Sequence, residues 1–243
     1  MIQEEQNSTS RNTFPGGTPQ VRQGRLQRGT PSCTRLVLLI VLDATGSMTP
    51  YVTAVGAALR HMLDILVSGS LSPEVGMIVF RDELEGEMPE VYAAGTPPEQ
   101  LRKFLARVEA VGGGTLPESS LPALMKAAAM LEATEQGVPR VVLHVTDAPP
   151  HDPEAGHTAR SVLEAFKQER VLYFGCTPDI EPYRTFANVT GGTLFPIEPD
   201  MRSKTFEAVL QDFARTTVKT VRAAEASISE DVRALLRAAR EED

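Results

Sequence analysis

The pattern of apolar and polar positions divides the chain into alternating strands and helices. Leu36 to Leu42 is apolar at every position and ends at Asp43. A strand without alternation is covered on both faces, as in a parallel sheet between helix layers. Val52, Val55, Leu59, Met62, Leu63 and Leu66 then recur at three- and four-residue spacing, which predicts a helix. A second strand is expected from Glu74 to Arg81, and a short antiparallel edge strand from about Glu90 to Ala93. Pro97 and Pro98 open a helix that carries Leu101, Phe104, Leu105 and Val108 and stops at Gly112-Gly113-Gly114.

Another helix is predicted from about Glu118 to Glu135, with Leu121, Leu124, Met125, Ala128 and Leu131 inward. Arg140 to Thr146 repeats the pattern of the first strand and also ends in an aspartate, Asp147. A helix over Thr158 to Arg170, a buried strand over Val171 to Gly175, a short helix over 180–190 capped by Gly191-Gly192, and a last strand over Thr193 to Pro196 complete the alternation. Phe206, Leu210, Phe213 and Val218 mark a further helix. Ser227 with Glu230 three residues on reads as a capping box opening a separate final helix with Val232, Leu235, Leu236 and Ala239 on one face. That helix either packs on its own domain or docks on another protein.

The order of elements predicts an α/β fold of three layers. Its sheet is doubly wound and mostly parallel, with one antiparallel edge strand, and C-terminal helices are added. Residues 1–33 are rich in Gln, Ser, Thr, Gly, Pro and Arg, lack apolar periodicity, and are expected to form a disordered leader. The domain proper is expected over 34–220 and the final helix over 221–243.

The net charge of −8 argues against nucleic-acid binding, which needs a basic face. No apolar run approaches the roughly 20 residues that span a bilayer, and no secretory signal pattern opens the chain. Two distant cysteines, Cys33 and Cys176, read as free thiols of a reducing compartment, so a cytoplasmic location without membrane attachment is expected.

In folds of this kind ligands gather beyond the carboxyl ends of the strands. Three segments should meet there: Asp43-Ala-Thr-Gly-Ser47, Gly112-Gly-Gly-Thr115-Leu-Pro-Glu118, and Thr146-Asp147-Ala-Pro-Pro-His151. In an extended turn Asp43, Thr45 and Ser47 project to one side and offer a carboxylate and two hydroxyls. Thr115 adds a neutral oxygen and Asp147 a second carboxylate. Such a hard oxygen set suits Mg²⁺, with Mn²⁺ or Ca²⁺ as other candidates.

Asp43-x-Thr-x-Ser47 with Thr115 and Asp147 resembles the metal-ion-dependent adhesion site of von Willebrand factor type A domains. The resemblance covers about residues 35 to 220. The wording Asp-Ala-Thr-Gly-Ser-Met, Gly-Gly-Gly-x-x-Pro-Glu and Thr-Asp-Ala-Pro-Pro-His is similar to the branch found beside α-kinases and in microbial proteins. Relatives of that branch often carry Asp in the glycine loop where this chain has Thr115, which leaves one carboxylate fewer on the ion.

The resemblance implies a binding module whose metal is ligated by Glu or Asp of a protein partner. By analogy, the setting is a multi-protein microbial system with an AAA+ ATPase or a defence role. Met48, Pro50 and Tyr51 are expected to form an apolar rim around the metal, with His151 shaping the loop after Asp147. His144, inside an apolar strand, reads as a core histidine.

No Gly-x-Ser-x-Gly elbow and no phosphate loop is present, and kinase motifs are absent, so no enzymatic activity is expected. The alternatives are a metal-assisted hydrolase using Asp43, Asp147 and His151, or a structural subunit whose metal staples the loops.

Overall fold

The structure is a computed structural model that describes residues 33–82, 86–112, 117–198, 201 and 203–241. The expected leader lies almost wholly outside these residues, as does Thr115.

Strand β1 (Thr34–Asp43) lies at the centre of the sheet. It is flanked by β2 (Leu71–Phe80) and β4 (Arg140–Val145), both parallel to it. The six strands run in the order β3-β2-β1-β4-β5-β6, with β5 at Val171–Thr177 and β6 at Thr193–Pro196. Only β3 (Glu90–Tyr92) is antiparallel, against β2. The sheet is therefore as the apolar pattern predicts, including the antiparallel edge.

Continuous apolarity in β1 has a direct cause. Leu36, Leu38, Ile40 and Leu42 enter one core, while Val37, Leu39 and Val41 enter the other. The first core is closed by α1 (Thr49–Ser68), α2 (Pro98–Leu105) and α6 (Ser203–Glu241). The second is closed by α3 (Ser120–Glu132), α4 (Ala159–Gln168) and α5 (Tyr183–Thr190). Side chains of a strand alternate between faces, so a strand with two covered faces has no polar position to spare.

Helix ends follow local chemistry. Pro50 sits in the first turn of α1, where a missing N–H costs nothing. Gly191 ends α5 in the left-handed region, at φ 76°. Thr158 caps α4 through a reciprocal pairing with Ser161. Helix α2 stops at Leu105, before the glycines, because the following residues form a strap against the loop after β1.

Two expectations about the C-terminal region are corrected. The chain does not break at Ser227; α6 runs unbroken for 39 residues from Ser203 to Glu241. Arg222-Ala-Ala-Glu-Ala226 consists of good helix formers without glycine or proline, and their propensity carries the helix past the Ser227–Glu230 pair. Residues 221–241 are thus the continuation of a helix that packs on the domain, rather than a separate element.

Helix α6 runs alongside α1 in the same direction. Phe206 meets Tyr51 near the start, and Arg222 donates to the carbonyls of Gly69 and Ser70 at the end. A Cβ on Gly69 would lie 2.5 Å from a Val218 methyl, so this crossing requires glycine. Cys33 and Cys176 are free thiols, the first exposed and the second buried. Among the described residues no helix is long and apolar enough to cross a membrane.

Candidate metal site

The strand order places the site. From β1 the chain moves through α1 to β2 on one side, while β4 lies on the other. The crevice where the winding reverses is the position at which such sheets take ligands. β1 ends there at Asp43, and Asp147 follows the end of β4 by two residues.

Asp43 is fully buried, and three donors hold its carboxylate. The Thr45 N–H and the Thr45 hydroxyl both donate to Oδ1, each at 2.8 Å. The Thr146 hydroxyl donates to Oδ2 at 2.7 Å, and Thr146 in turn accepts from the Ala148 N–H at 3.2 Å. Thr45 is extended, after which Gly46–Met48 make one 3-10 turn into α1. Ser47, exposed, donates through Oγ to Asp147 Oδ1 at 3.0 Å.

A strap leading into the second segment lies along this loop. Val111 N–H donates to the Ala44 carbonyl at 3.1 Å, and Gly46 N–H to the Gly112 carbonyl at 3.2 Å. Gly112 has φ 80°, and a Cβ there would come within 2.6 Å of the Glu87 carboxylate. The positive φ calls for glycine at this position, whereas the Glu87 side chain could swing aside from a Cβ.

Burial pushes the Asp43 carboxyl up to about 6. The hydrogen bonds from Thr146 and Thr45 oppose the rise, and the neighbouring Asp147 charge adds to it. A buried carboxylate facing a second carboxylate is a pair that a bound cation relieves. The donor set is two carboxylates and two hydroxyls, all hard oxygens, and suits Mg²⁺ better than a thiophilic ion. Among the described residues no three His, Cys, Asp or Glu side chains cluster in a metal-holding arrangement, so hydroxyls are indispensable to this set.

Asp43, Thr45, Ser47 and Asp147 thus converge, while the Thr115 expectation falls outside the described residues. The expected rim needs correction. Met48 and Tyr51 have no exposed surface. Tyr51 packs edge-on to Phe206 at 5.0 Å between ring centroids and donates to the Glu198 carbonyl. The 3-10 turn rotates these two residues inward, so they anchor the start of α6 instead of facing a partner. Pro50 is half-buried, and its carbonyl accepts from Ser203 at 3.2 Å. His151 is half-buried in the loop after Asp147, and its N–H donates to the Glu118 carbonyl at 3.2 Å.

His144 is a core residue. Its Nδ1 pairs with the Tyr173 hydroxyl at 2.9 Å, and burial lowers its pKa to about 3.

Sequence reasoning missed Thr146, which orients Asp43. The available signal was a polar residue closing an apolar strand immediately before Asp147. It also missed a buried polar group behind the site, where Ser119 Oγ lies 2.5 Å from Glu154 and 3.4 Å from Asp82. The run Glu118-Ser-Ser120 at a buried helix start was its only sequence trace.

A family model described as von Willebrand factor A domain matches residues 37–199, well over half of the chain. The chain belongs to the von Willebrand factor A domain family. Its vWA sheet also resembles solved structures. The pilus adhesin SpaC of Lactobacillus rhamnosus GG superposes with a TM-score of 0.52 at 18% identity, over 76% of this chain and 31% of the adhesin chain. At that identity the likeness speaks for the fold. A curated relative, an ariadne-like RING finger protein of Acanthamoeba polyphaga mimivirus, is 27% identical over 114 residues. The match takes in 47% of the vWA chain and only 11% of the viral protein. Domains of this family often serve as protein-interaction modules, which is the coarse function the membership supports.

Proposed function

We propose that this vWA domain is a Mg²⁺-dependent protein-binding module whose metal takes a Glu or Asp side chain from its partner. The observation that carries the reading is the meeting of Asp43 and Asp147 at the switch point, near enough for the charge of one to act on the other, with Ser47 hydrogen-bonded to Asp147. The residues that would hold the ion are Asp43, Thr45, Ser47 and Asp147, with Thr115 as the expected fifth. When bound, Mg²⁺ supplies a Lewis-acidic position that only two protein carboxylates partly neutralise, and so favours an acidic ligand.

The chain's own residues prepare that position. Thr146 and Thr45 fix both oxygens of Asp43, which sets the direction of its remaining lone pairs. Burial of Asp43 excludes water from one side and strengthens its attraction for a cation. Ser47 is exposed, so the open side of the set faces solvent.

The test is a pair of measurements on the full chain. Mg²⁺ is expected to raise thermal stability, and Asp147→Ala to abolish the rise. Partner capture in Mg²⁺ that persists unchanged in EDTA would overturn the proposal.

A further inference from the structure

A groove of about 380 Å³ lies between α1 and α2, and it opens beside the metal loop. Val52 and Leu105 line it from the core, while Thr53 and Arg102 are exposed and form its walls. Thr49, at its upper end, stands two residues past Ser47, and its hydroxyl donates to the Gly46 carbonyl at 3.0 Å. Ala110, also in the lining, adjoins the Val111–Gly112 strap that is bonded to the same loop. Metal loop and groove are thus parts of one hydrogen-bonded surface. From Thr49 to Gly56 the groove follows α1 for about 10 Å, at about 1.5 Å per helical residue.

The groove is mixed in character. Its apolar wall asks for an aliphatic or aromatic side chain, and Arg102 asks for an acid. Among the described residues Arg102 pairs with Glu99, one helical turn before it at 3.1 Å, with both side chains substantially exposed. Such a pair contributes little and can exchange for a partner's carboxylate. The chain as a whole carries a net charge of −8, which repels an acidic partner. Arg102, in the last turn of α2, sets a positive charge in the groove lining against that background.

We propose that the α1–α2 groove determines partner choice, seating an apolar side chain and a second carboxylate of the same acidic peptide segment that ligates the metal. This rests on the metal reading above. An extended peptide advances about 3.3 Å per residue, so the apolar residue and the second acid fall within about four residues of the metal-ligating acid.

The test uses the full chain and random peptides displayed on phage, selected in Mg²⁺ and released with EDTA. Selected peptides are synthesised and titrated against the wild type, Thr53→Trp, Arg102→Glu and, as a remote charge control, Arg160→Glu. Thr53, Arg102 and Arg160 are all exposed helix positions, so the variants are expected to fold. The peptides should share an acid-apolar-acid pattern. Thr53→Trp and Arg102→Glu should each weaken them by about ten-fold or more, and Arg160→Glu by less than about two-fold. EDTA-sensitive peptides that bind both groove variants as tightly as the wild type would overturn the groove and leave the metal standing. Peptides that hold equally well in EDTA, or a selection that yields none, would overturn both.

Discussion

Ser47 and Asp147, one hundred residues apart in sequence, are joined by one hydrogen bond of 3.0 Å between Oγ and Oδ1. This bond ties the loop after β1 to the loop after β4 and orients an exposed and a half-buried member of the proposed ligand set. Ser47→Ala and Asp147→Ala should each remove the stability that Mg²⁺ confers. For the wild type that gain is about 2.7 kcal/mol when Mg²⁺ stands at about 100 times its dissociation constant. The double variant should lose no more than Asp147→Ala alone, because both act on one ion. Calorimetry in Mg²⁺ and in EDTA checks this; a full Mg²⁺ response in Asp147→Ala would contradict it.

Asp43 predicts a pH dependence of the metal-free chain. Its folded-state pKa of about 6 lies above the ordinary carboxylate value of 3.8. The metal-free folded chain therefore holds this proton more tightly than the unfolded chain does. That contribution is complete below about pH 4, is lost as pH rises through about 6, and amounts to at most about 3 kcal/mol. In EDTA at about pH 7.5, Asp43→Asn should be more stable than the parent, and the advantage should shrink towards about pH 4. Urea unfolding across that range is the measurement. An Asn variant less stable than the parent at every pH would show that burial of the charge is not what dominates here.

At the opposite end of β4 from the metal loop, Arg140 and Glu169 form a buried ion pair at 2.5 Å. Arg140 also donates to the Glu169 and Thr134 carbonyls, at 3.1 and 3.0 Å, and so links the loop after α3 to the end of α4. Glu169→Ala leaves the guanidinium buried without its counter-ion and should cost about 3–5 kcal/mol. Denaturant unfolding should show the loss, while Mg²⁺ affinity of the folded protein stays unchanged. A coupled loss of affinity would mean that strain at Arg140 reaches the far end of the strand.

Among the described residues Gly192 is the tightest glycine. A Cβ there would sit 1.8 Å from the Tyr173 carbonyl oxygen. Because that obstacle is backbone of β5, a strand paired on both sides, Gly192→Ala must displace β6 from β5 and should cost more than about 3 kcal/mol. Near-wild-type stability of this variant would indicate that β6 can shift at little cost.

The sequence made the fold legible where both faces of a strand are covered. Leu36 to Leu42 reads as a central strand because every position in it is apolar, and Arg140 to Val145 reads as another because Val141, Val142, Leu143 and Val145 outnumber its two polar residues, Arg140 and His144. Asp43 and Asp147 were visible for the same reason: each is the first acid after such a run. Orientation around a helix start was less legible. Met48 and Tyr51 look like a rim from their place just beyond the motif, and the 3-10 turn that points them to the core has no trace in the sequence. Long helices are ambiguous in another way. Ser227 and Glu230 satisfy the spacing of a cap, yet the neighbouring Ala and Arg residues stabilise an unbroken helix across them.

The adjacency of β1 and β4 has a consequence for experiment. A peptide cut from residues around 43–47 would contain three of the proposed oxygen donors but would lack Thr115 and Asp147, the latter following a strand placed beside it only by the finished sheet. No excised fragment should therefore reproduce the ion affinity. Titration with Mg²⁺ would report whether the central strands have assembled, so the ion doubles as a probe of folding for any truncated or rearranged version of this chain.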